Sequence, residues 1–522
     1  MSSQPPPQAF AHLVNLADDL TGTFVVSASD DYFAPKENLV RPDAPVWREG
    51  EYTDRGKWMD GWESQRKREP GHDHCTLRLG TPGRVHGLLV DTTWFKGNAP
   101  QAVSLQVTEA PWTATPRELD AAEWVEALPH TPVQPHTPNV VALPAPSGRA
   151  THVRLHIYPD GGVARLRVYG EVLPEPRTFW RAGAVDLLAL ENGGAVAAAS
   201  DQFFGPPANL LLPGRGTNMG DGWETRRRRT PGSDWCVLRL GRRGVLDRIE
   251  LDTHFFKGNA PQAALIEALD AEALPAGALE PLLRGDPSPH GGDWIALVGK
   301  TPLVQHRRHV LEPERPLPVT HLRVHMFPHG GINRLRAFGH ALDTPAERAV
   351  LAAFNAAPEA EAAERLRAFN GSRAWGRALV AARPFADLRA LFAAAEAAWW
   401  ALGPDDWLEA FAAHPRIGES KAAPTQGAQA AAWSREEQRG AAGAEEQVKA
   451  RLAELNARYA EKFGFIYIVF ASGKSAALML ELLEERLGRT RDQELEQAAR
   501  EQAKITRLRL EKWLLAQLEG SR

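Results

Sequence analysis

The chain has 522 residues, 43% of them hydrophobic and 24% charged, with a formal net charge of -4. That balance fits an ordinary globular protein and gives no support to a nucleic-acid or membrane-surface partner. Two cysteines, Cys75 and Cys236, exclude a disulfide-built scaffold and fit a reducing compartment. No apolar run approaches the roughly 20 residues of a membrane span. The start, MSSQPPPQAF, has no charged stretch followed by an apolar one, so a cytoplasmic location is expected. At roughly 100–200 residues per domain, about three domains are expected.

Internal repetition fills the first two thirds. WMDGWE at 58–63 recurs as MGDGWE at 219–224, and DTTWFKGNAPQA at 91–102 as DTHFFKGNAPQA at 252–263, with the second pair 161 residues apart. Ser29, Asp30 and Phe33 match Ser200, Asp201 and Phe204. THVRLHIYPDGGVARLRVYG at 151–170 matches THLRVHMFPHGGINRLRAFG at 320–339. Period-two alternation predicts strands over 75–79, 87–91, 153–157, 166–168 and 322–326. A turn at Pro82–Gly83 separates the first two, and Asp160–Gly161–Gly162 reads as a hairpin turn. Many short strands with Gly/Pro punctuation predict two tandem jelly-roll-like β-sandwiches, over 10–175 and 180–342.

From Thr344 the composition shifts to Ala, Glu, Arg and Leu. Pro345 suits a helix start. Helical periodicity runs over 452–463 and 476–487, and 493–518 reads as one long helix. Residues 421–432 read as a loop. The region 346–518 is expected to be all-α, with a core of its own.

In the β-rich part the densest polar cluster holds Asp60, Glu63, Arg66, Arg68 and His72, with Asp30 upstream. The second copy supplies Asp221, Glu224, Arg227 and Arg229, but Ser233 and Trp235 stand where the first has His72 and His74. Two readings stay open: a repeated structural ion-pair network, or an anion-recognition patch in which arginine forks meet a carboxylate. Asn98 and Asn259 follow glycines and read either as turns or as amides offered to a polar ligand. His156 and His325 sit on predicted strands and read as structural; Cys75 and Cys236 read as small buried hydrophobes. No spacing matches a zinc motif.

The strings SASDDYFAPKENL, GKWMDGWESQRKR, GHDHCTLRLG and DTTWFKGNAP, with NMGDGWETRRRR and SDWCVLRLG in the second copy, resemble the allantoicase family over nearly all of 10–342. The resemblance implies hydrolysis of allantoate to ureidoglycolate and urea, by water attack or by elimination of urea. It leaves the residues above as a shortlist without individual roles. A divalent metal stays open for this part, and no residue pattern signals one. His74 departs from the tryptophan expected there. The alternative is a non-catalytic ligand-binding module joined to the helical enzyme.

In the helical part, His414 precedes Pro415, which pushes it out of the helix formed by 407–411. Ser434 with Glu437 forms an S-x-x-E capping box. FNGSRAWGRALVAARPF, DWLEAFAAHPRIGE, WSREEQ, YAEKFGFIYIVFASGKS and EQAKITRLRLEK resemble the family that decarboxylates 2-oxo-4-hydroxy-4-carboxy-5-ureidoimidazoline (OHCU) to (S)-allantoin. The resemblance implies that His414 is catalytic, moving a proton. It implies that Ser434, Glu437 and Gln438 contact substrate, with Pro415 beside them and Phe465 and Ile466 in a segment offering backbone groups. Ser472 stands where some members carry arginine, Lys474 is the candidate compensating cation, and both are expected among the substrate-binding residues. No cofactor is expected for the decarboxylase. The expected partners are small ureides, with a homo-oligomer left open. Ring opening of allantoin, which lies between the two reactions, has no domain of its own here.

Overall fold

The computed structural model describes residues 7–10, 12–284, 293–415, 432–433 and 446–520. It divides into two compact units, 1–342 and 343–522.

The first sandwich contains β1 (Phe24–Ala28), β2 (Asp73–Asp91), β3 (Ala102–Thr108), β4 (Val125–Pro132), β5 (Pro138–Ala142), β6 (Arg149–Tyr158) and β7 (Arg165–Val172). All pairings are antiparallel. The first half of β2 pairs with β1 and β6, and β6 continues to β3 and β4. The second half of β2 pairs with β7 and β5. One strand therefore serves both layers. The core between them gathers Leu77, Leu79, Leu88, Val90, Leu105, Val153, Leu155, Leu166 and Val168.

The second sandwich repeats this order: β8 (Ala195–Ala199), β9 (Asp234–Asp252), β10 (Ala263–Leu269), β11 (Ile295–Pro302), β12 (Arg308–Leu311), β13 (Pro318–Phe327) and β14 (Arg334–Ala341). Its core holds Leu238, Ile249, Leu251, Ile266, Leu322, Val324 and Leu335.

Two local expectations are corrected. The predicted strands 75–79 and 87–91 form one continuous 19-residue strand, β2. Pro82–Gly83 does not end it. The register against β6 slips between Ala150 and His152, so the strand passes from one layer to the other through an irregularity rather than a turn. The Asp160–Gly161–Gly162 turn is likewise no hairpin, because β6 and β7 both pair with β2 and not with each other. Instead Gly162–Val163 pairs with Trp62–Glu63, which brings the WE dipeptide under the turn.

The helical unit contains α1 (Pro345–Ala356), α2 (Glu359–Asn370), α3 (Arg373–Ala381), α4 (Leu388–Trp400), α5 (Pro404–Ala412), α6 (Glu446–Phe463), α7 (Ala476–Arg486) and α8 (Arg491–Gly520). Thr344 and Glu347 close a capping box around Pro345 at the start of α1. α8 is the axis of the unit and packs against α1, α2, α4, α5 and α6. Its buried positions, Leu495, Ala498, Gln502, Ile505, Arg509 and Trp513, recur at helical spacing. Between α6 and α7, Phe465 to Ala471 belongs to no helix or sheet. Its Phe470 N–H is satisfied by Glu501 at 2.8 Å, and its Ile468 carbonyl by Arg486 at 2.9 Å.

Candidate functional sites

In each sandwich a glutamate on a short strand and an asparagine from a distant loop meet beneath the glycine turn. Glu63 lies on the short strand Trp62–Glu63, and Asn98 donates from its amide to Glu63 Oε1 at 2.7 Å. Asn259 does the same to Glu224 Oε1 at 2.5 Å. The turn is built for this approach: Gly162 donates its N–H to the Asn98 carbonyl at 2.8 Å. Gly161 sits at φ +129°, and a Cβ there would come within 2.5 Å of the same carbonyl. Burial raises the Glu63 pKa above the usual carboxylate value, and the Asn98 hydrogen bond opposes the rise.

On the first sandwich, the same turn is flanked by a chain of polar rings. His72 Nε2 lies 2.9 Å from His156 Nδ1, and His156 Nε2 lies 3.0 Å from Gln106 Oε1. The Tyr158 ring sits against His72 at 4.4 Å and His130 at 4.7 Å, and its hydroxyl reaches Ser104 at 3.0 Å.

Several shortlisted residues serve the scaffold. Asp60 is buried, pairs with Arg165 at 2.9 Å and Arg41 at 3.2 Å, and accepts from the Val46 N–H at 2.8 Å. Asp221 accepts from Thr217 and Asn218 and caps a helical turn. Asp30 accepts from the N–H groups of Tyr32 at 2.9 Å and Gln65 at 3.2 Å, fixing their loop. Arg66, Arg68, Arg227 and Arg229 are exposed. The cations between them turn inward: Lys67 pairs with Asp73 at 2.8 Å, and Arg228 with Asp234 at 2.7 Å. Among the described residues, no group of three or more His, Cys, Asp or Glu is arranged to hold a metal ion.

In the helical unit, His414 follows the last turn of α5 and donates its N–H to the Phe411 carbonyl at 3.0 Å. Its ring Nε2 is screened from solvent and has no hydrogen-bond partner among the described residues. Burial pulls its pKa down to about 3; the Arg509 guanidinium adds to that and Gln502 opposes it. Gln502 donates to the Asn370 carbonyl at 3.3 Å and to Thr506 Oγ1 at 3.3 Å, and Asn370 donates to Thr506 Oγ1 at 2.9 Å. Asn370, Gln502 and Thr506 are buried on α2 and α8, and the half-buried His414 sits just beyond α5. Phe465 packs on Phe411 at 5.6 Å, which seats the 465–471 segment against α5. Trp433 packs on Phe369 at 5.6 Å. Ser434, Glu437 and Gln438 lie outside the described residues, as do most of residues 421–432. Pro415 and Ile466 are half-buried. Ser472 is half-buried, and the Lys474 ammonium donates to the Phe470 carbonyl at 2.6 Å.

A family model described as the allantoicase repeat matches residues 14–173 and 185–342. The chain belongs to the allantoicase family. A second model, OHCU decarboxylase, matches residues 355–511, so a decarboxylase domain follows the allantoicase repeats. "Probable allantoicase 1" of Burkholderia mallei is 43% identical over 345 residues, 65% of this chain and 98% of that protein. The crystal structure of allantoicase from Saccharomyces cerevisiae is 34% identical, covering 63% of this chain and 93% of that one, with a TM-score of 0.53. A crystal structure of OHCU decarboxylase in the presence of (S)-allantoin is 36% identical, covering 29% of this chain and 97% of that one, with a TM-score of 0.25.

Sequence reasoning passed over Asn370, Gln502, Thr506 and Arg509 of the decarboxylase domain, although they lie in the strings FNGSRAWG and EQAKITRLRLEK. Polar residues at core positions of a strongly periodic helix were the available signal. In the allantoicase repeats it passed over Gln106 and Tyr158. They alternate along strands like any half-buried residue.

Proposed function

We propose that the allantoicase repeats hydrolyse allantoate to ureidoglycolate and urea, and that the helical domain decarboxylates OHCU to (S)-allantoin. For the first reaction the supporting observation is the Glu63–Asn98 pair, reproduced as Glu224–Asn259. A half-buried carboxylate with a raised pKa is suited to proton transfer. The amide beside it suits a ureido carbonyl or N–H. Arg66 and Arg68, exposed on the loop that follows Glu63, are available to the substrate carboxylate.

For the second reaction the supporting observation is the unpartnered Nε2 of His414. A buried polar atom without a partner is costly unless a ligand satisfies it. Burial and the Arg509 guanidinium keep the ring neutral. An anionic substrate brings opposite charge within a few ångströms and raises the histidine pKa again. His414 then gives its proton to the ring carbon that loses CO₂, and Asn370, Gln502 and Thr506 fix the ring and its ligand. Ser434, Glu437 and Gln438 keep the substrate-binding role implied by the family, and the backbone around Phe465 and Ile466 offers further donors and acceptors. The decarboxylation as written needs no cofactor, a divalent metal stays open for the allantoate reaction, and the two buried thiols fit a cytoplasmic setting.

The test is direct. The full chain is assayed for allantoate-dependent urea release and for OHCU consumption. His414→Ala is expected to abolish the second and spare the first; undiminished decarboxylation by His414→Ala rejects its role. Allantoate binding without turnover by the wild type would identify the sandwiches as a binding module.

A further inference from the structure

The two sandwiches carry the same Glu–Asn pair, yet differ in the polar groups around the matching strand histidines, His156 and His325. In the first, Gln106, His156 and His72 form a chain that ends on an exposed imidazole. Its polarity follows from chemistry. The Gln106 Oε1 accepts, so His156 carries its proton on Nε2 and presents an unprotonated Nδ1. His72 must then donate from Nε2, which leaves His72 Nδ1 as a lone pair with no partner among the described residues. In the second sandwich the corresponding groups are Glu267, His325 and Ser233. His325 is fully buried, with Nε2 at 2.9 Å from Glu267 and Nδ1 at 3.1 Å from Ser233 Oγ. Arg323 closes on the same Glu267 oxygen at 2.6 Å. Both imidazole nitrogens are thus consumed internally. Trp235, Phe327 and Lys300 replace His74, Tyr158 and His130.

We propose that the sandwiches have divided their roles: the first turns over substrate with His72 Nδ1 as proton acceptor, and the second binds the same ureido carboxylate without turnover. This rests on the allantoate reading above. His156 and Gln106 are positioning residues that fix the His72 tautomer. In the reaction, water oxygen bonds to the central carbon and its released proton goes to His72 Nδ1. The carbon–nitrogen bond breaks toward urea, and His72 returns the proton to the departing nitrogen. No other co-reactant is needed. The groups facing the chain are His74 on β2, Arg154 and Tyr158 on β6, His130 on β4, and Asp120, which pairs with Arg154 at 2.9 Å. His74, His72 and Arg154 add to burial in holding His156 neutral.

The full chain is assayed for urea release from allantoate, with three variants. His72→Gln is expected to lower kcat by roughly 100-fold or more with KM little changed, as for loss of a general base. Ser233→Ala is expected to match wild type. Gln106→Glu places a carboxylate on His156 and favours the imidazolium, so the low-pH limb of kcat is expected to move to higher pH. A merely structural role for Gln106 would change stability but not that limb. Equilibrium titration of His72→Gln with allantoate is expected to read two sites per chain. If wild type releases no urea, the allantoate reading fails, and this inference with it. If wild type is active and His72→Gln keeps full kcat, only the inference fails. A loss confined to Ser233→Ala also overturns it, and moves the chemistry to Ser233, His325 and Glu267. A single binding site overturns the role given to the second sandwich.

Discussion

At the scale of single residues, burial decides which charged groups can do chemistry. Asp60 and Glu63 are three positions apart, yet Asp60 is committed to Arg165 and Arg41, while Glu63 meets only the neutral amide of Asn98. Asp60 is spent on its two arginines, whereas the pKa of Glu63, left with an amide, is raised by burial and the carboxyl remains available. Asn98→Ala removes the hydrogen bond that holds the Glu63 pKa down, so that pKa rises further. If Glu63 works as a carboxylate, the low-pH limb of kcat/KM for allantoate is expected to shift upward; an unmoved limb would exclude Glu63 as the titrating base. His414 gives a stability prediction of definite sign. Its folded pKa, about 3, lies below the unfolded value of about 6.5. Protons therefore bind the unfolded chain first. The contribution is fully present above about pH 6.5 and is lost as pH falls toward 3, at most roughly 1.4 kcal/mol per unit. His414→Asn should flatten that loss in the helical unit, read as a smaller drop in Tm between pH 7 and pH 5. The sequence made His414 legible because Pro415 marks the helix end. It hid the inward cations Lys67 and Arg228, because they lie in a loop where no periodicity tells inward from outward.

At the scale of elements, the long strands and the glycine turns position each site. The duplication made the sandwiches readable, since the same strings recur in the same order. The sharing of β2 and β9 between layers was not readable, because a bulge inside a strand leaves the same glycine and proline signal as a turn. The consequence is functional. With no β6–β7 hairpin, Gly162 and Val163 are released to pair with Trp62 and Glu63. The close fit is severe: a Cβ on Gly162 would lie 1.9 Å from the buried Phe95 ring, and one on Gly331 1.9 Å from Phe256. Gly162→Ala is expected to destabilise the first sandwich by about 1–3 kcal/mol, as overpacking does. It should also reduce allantoate turnover, because Glu63 rides on the displaced pair. If the division of roles holds, Gly331→Ala costs similar stability in the second sandwich and leaves kcat near wild type. Calorimetry and urea release on the same samples separate the two effects.

At the scale of the whole molecule, two catalytic units of unlike fold share one chain, each with its own core. Their reactions are not consecutive. The decarboxylase yields allantoin, a closed ring, whereas the allantoicase repeats take allantoate, its opened form. Hydrolysis of that ring amide is a different reaction from expulsion of urea, and needs water directed at a ring carbonyl. The sites described in the two units are already assigned to other steps. The pure protein supplied with OHCU is therefore expected to accumulate (S)-allantoin and release no urea. Adding a separate allantoin-hydrolysing enzyme should start urea release, at a rate set by the amount added. The variants should cross cleanly in this mixture. His414→Ala halts the sequence before allantoin, and supplied allantoate rescues urea. His72→Gln lets allantoin and then allantoate build up, and no supplied intermediate rescues urea. Urea formed from OHCU by the pure protein alone would show that the chain also opens the ring, and would overturn the assignment of two reactions to two units.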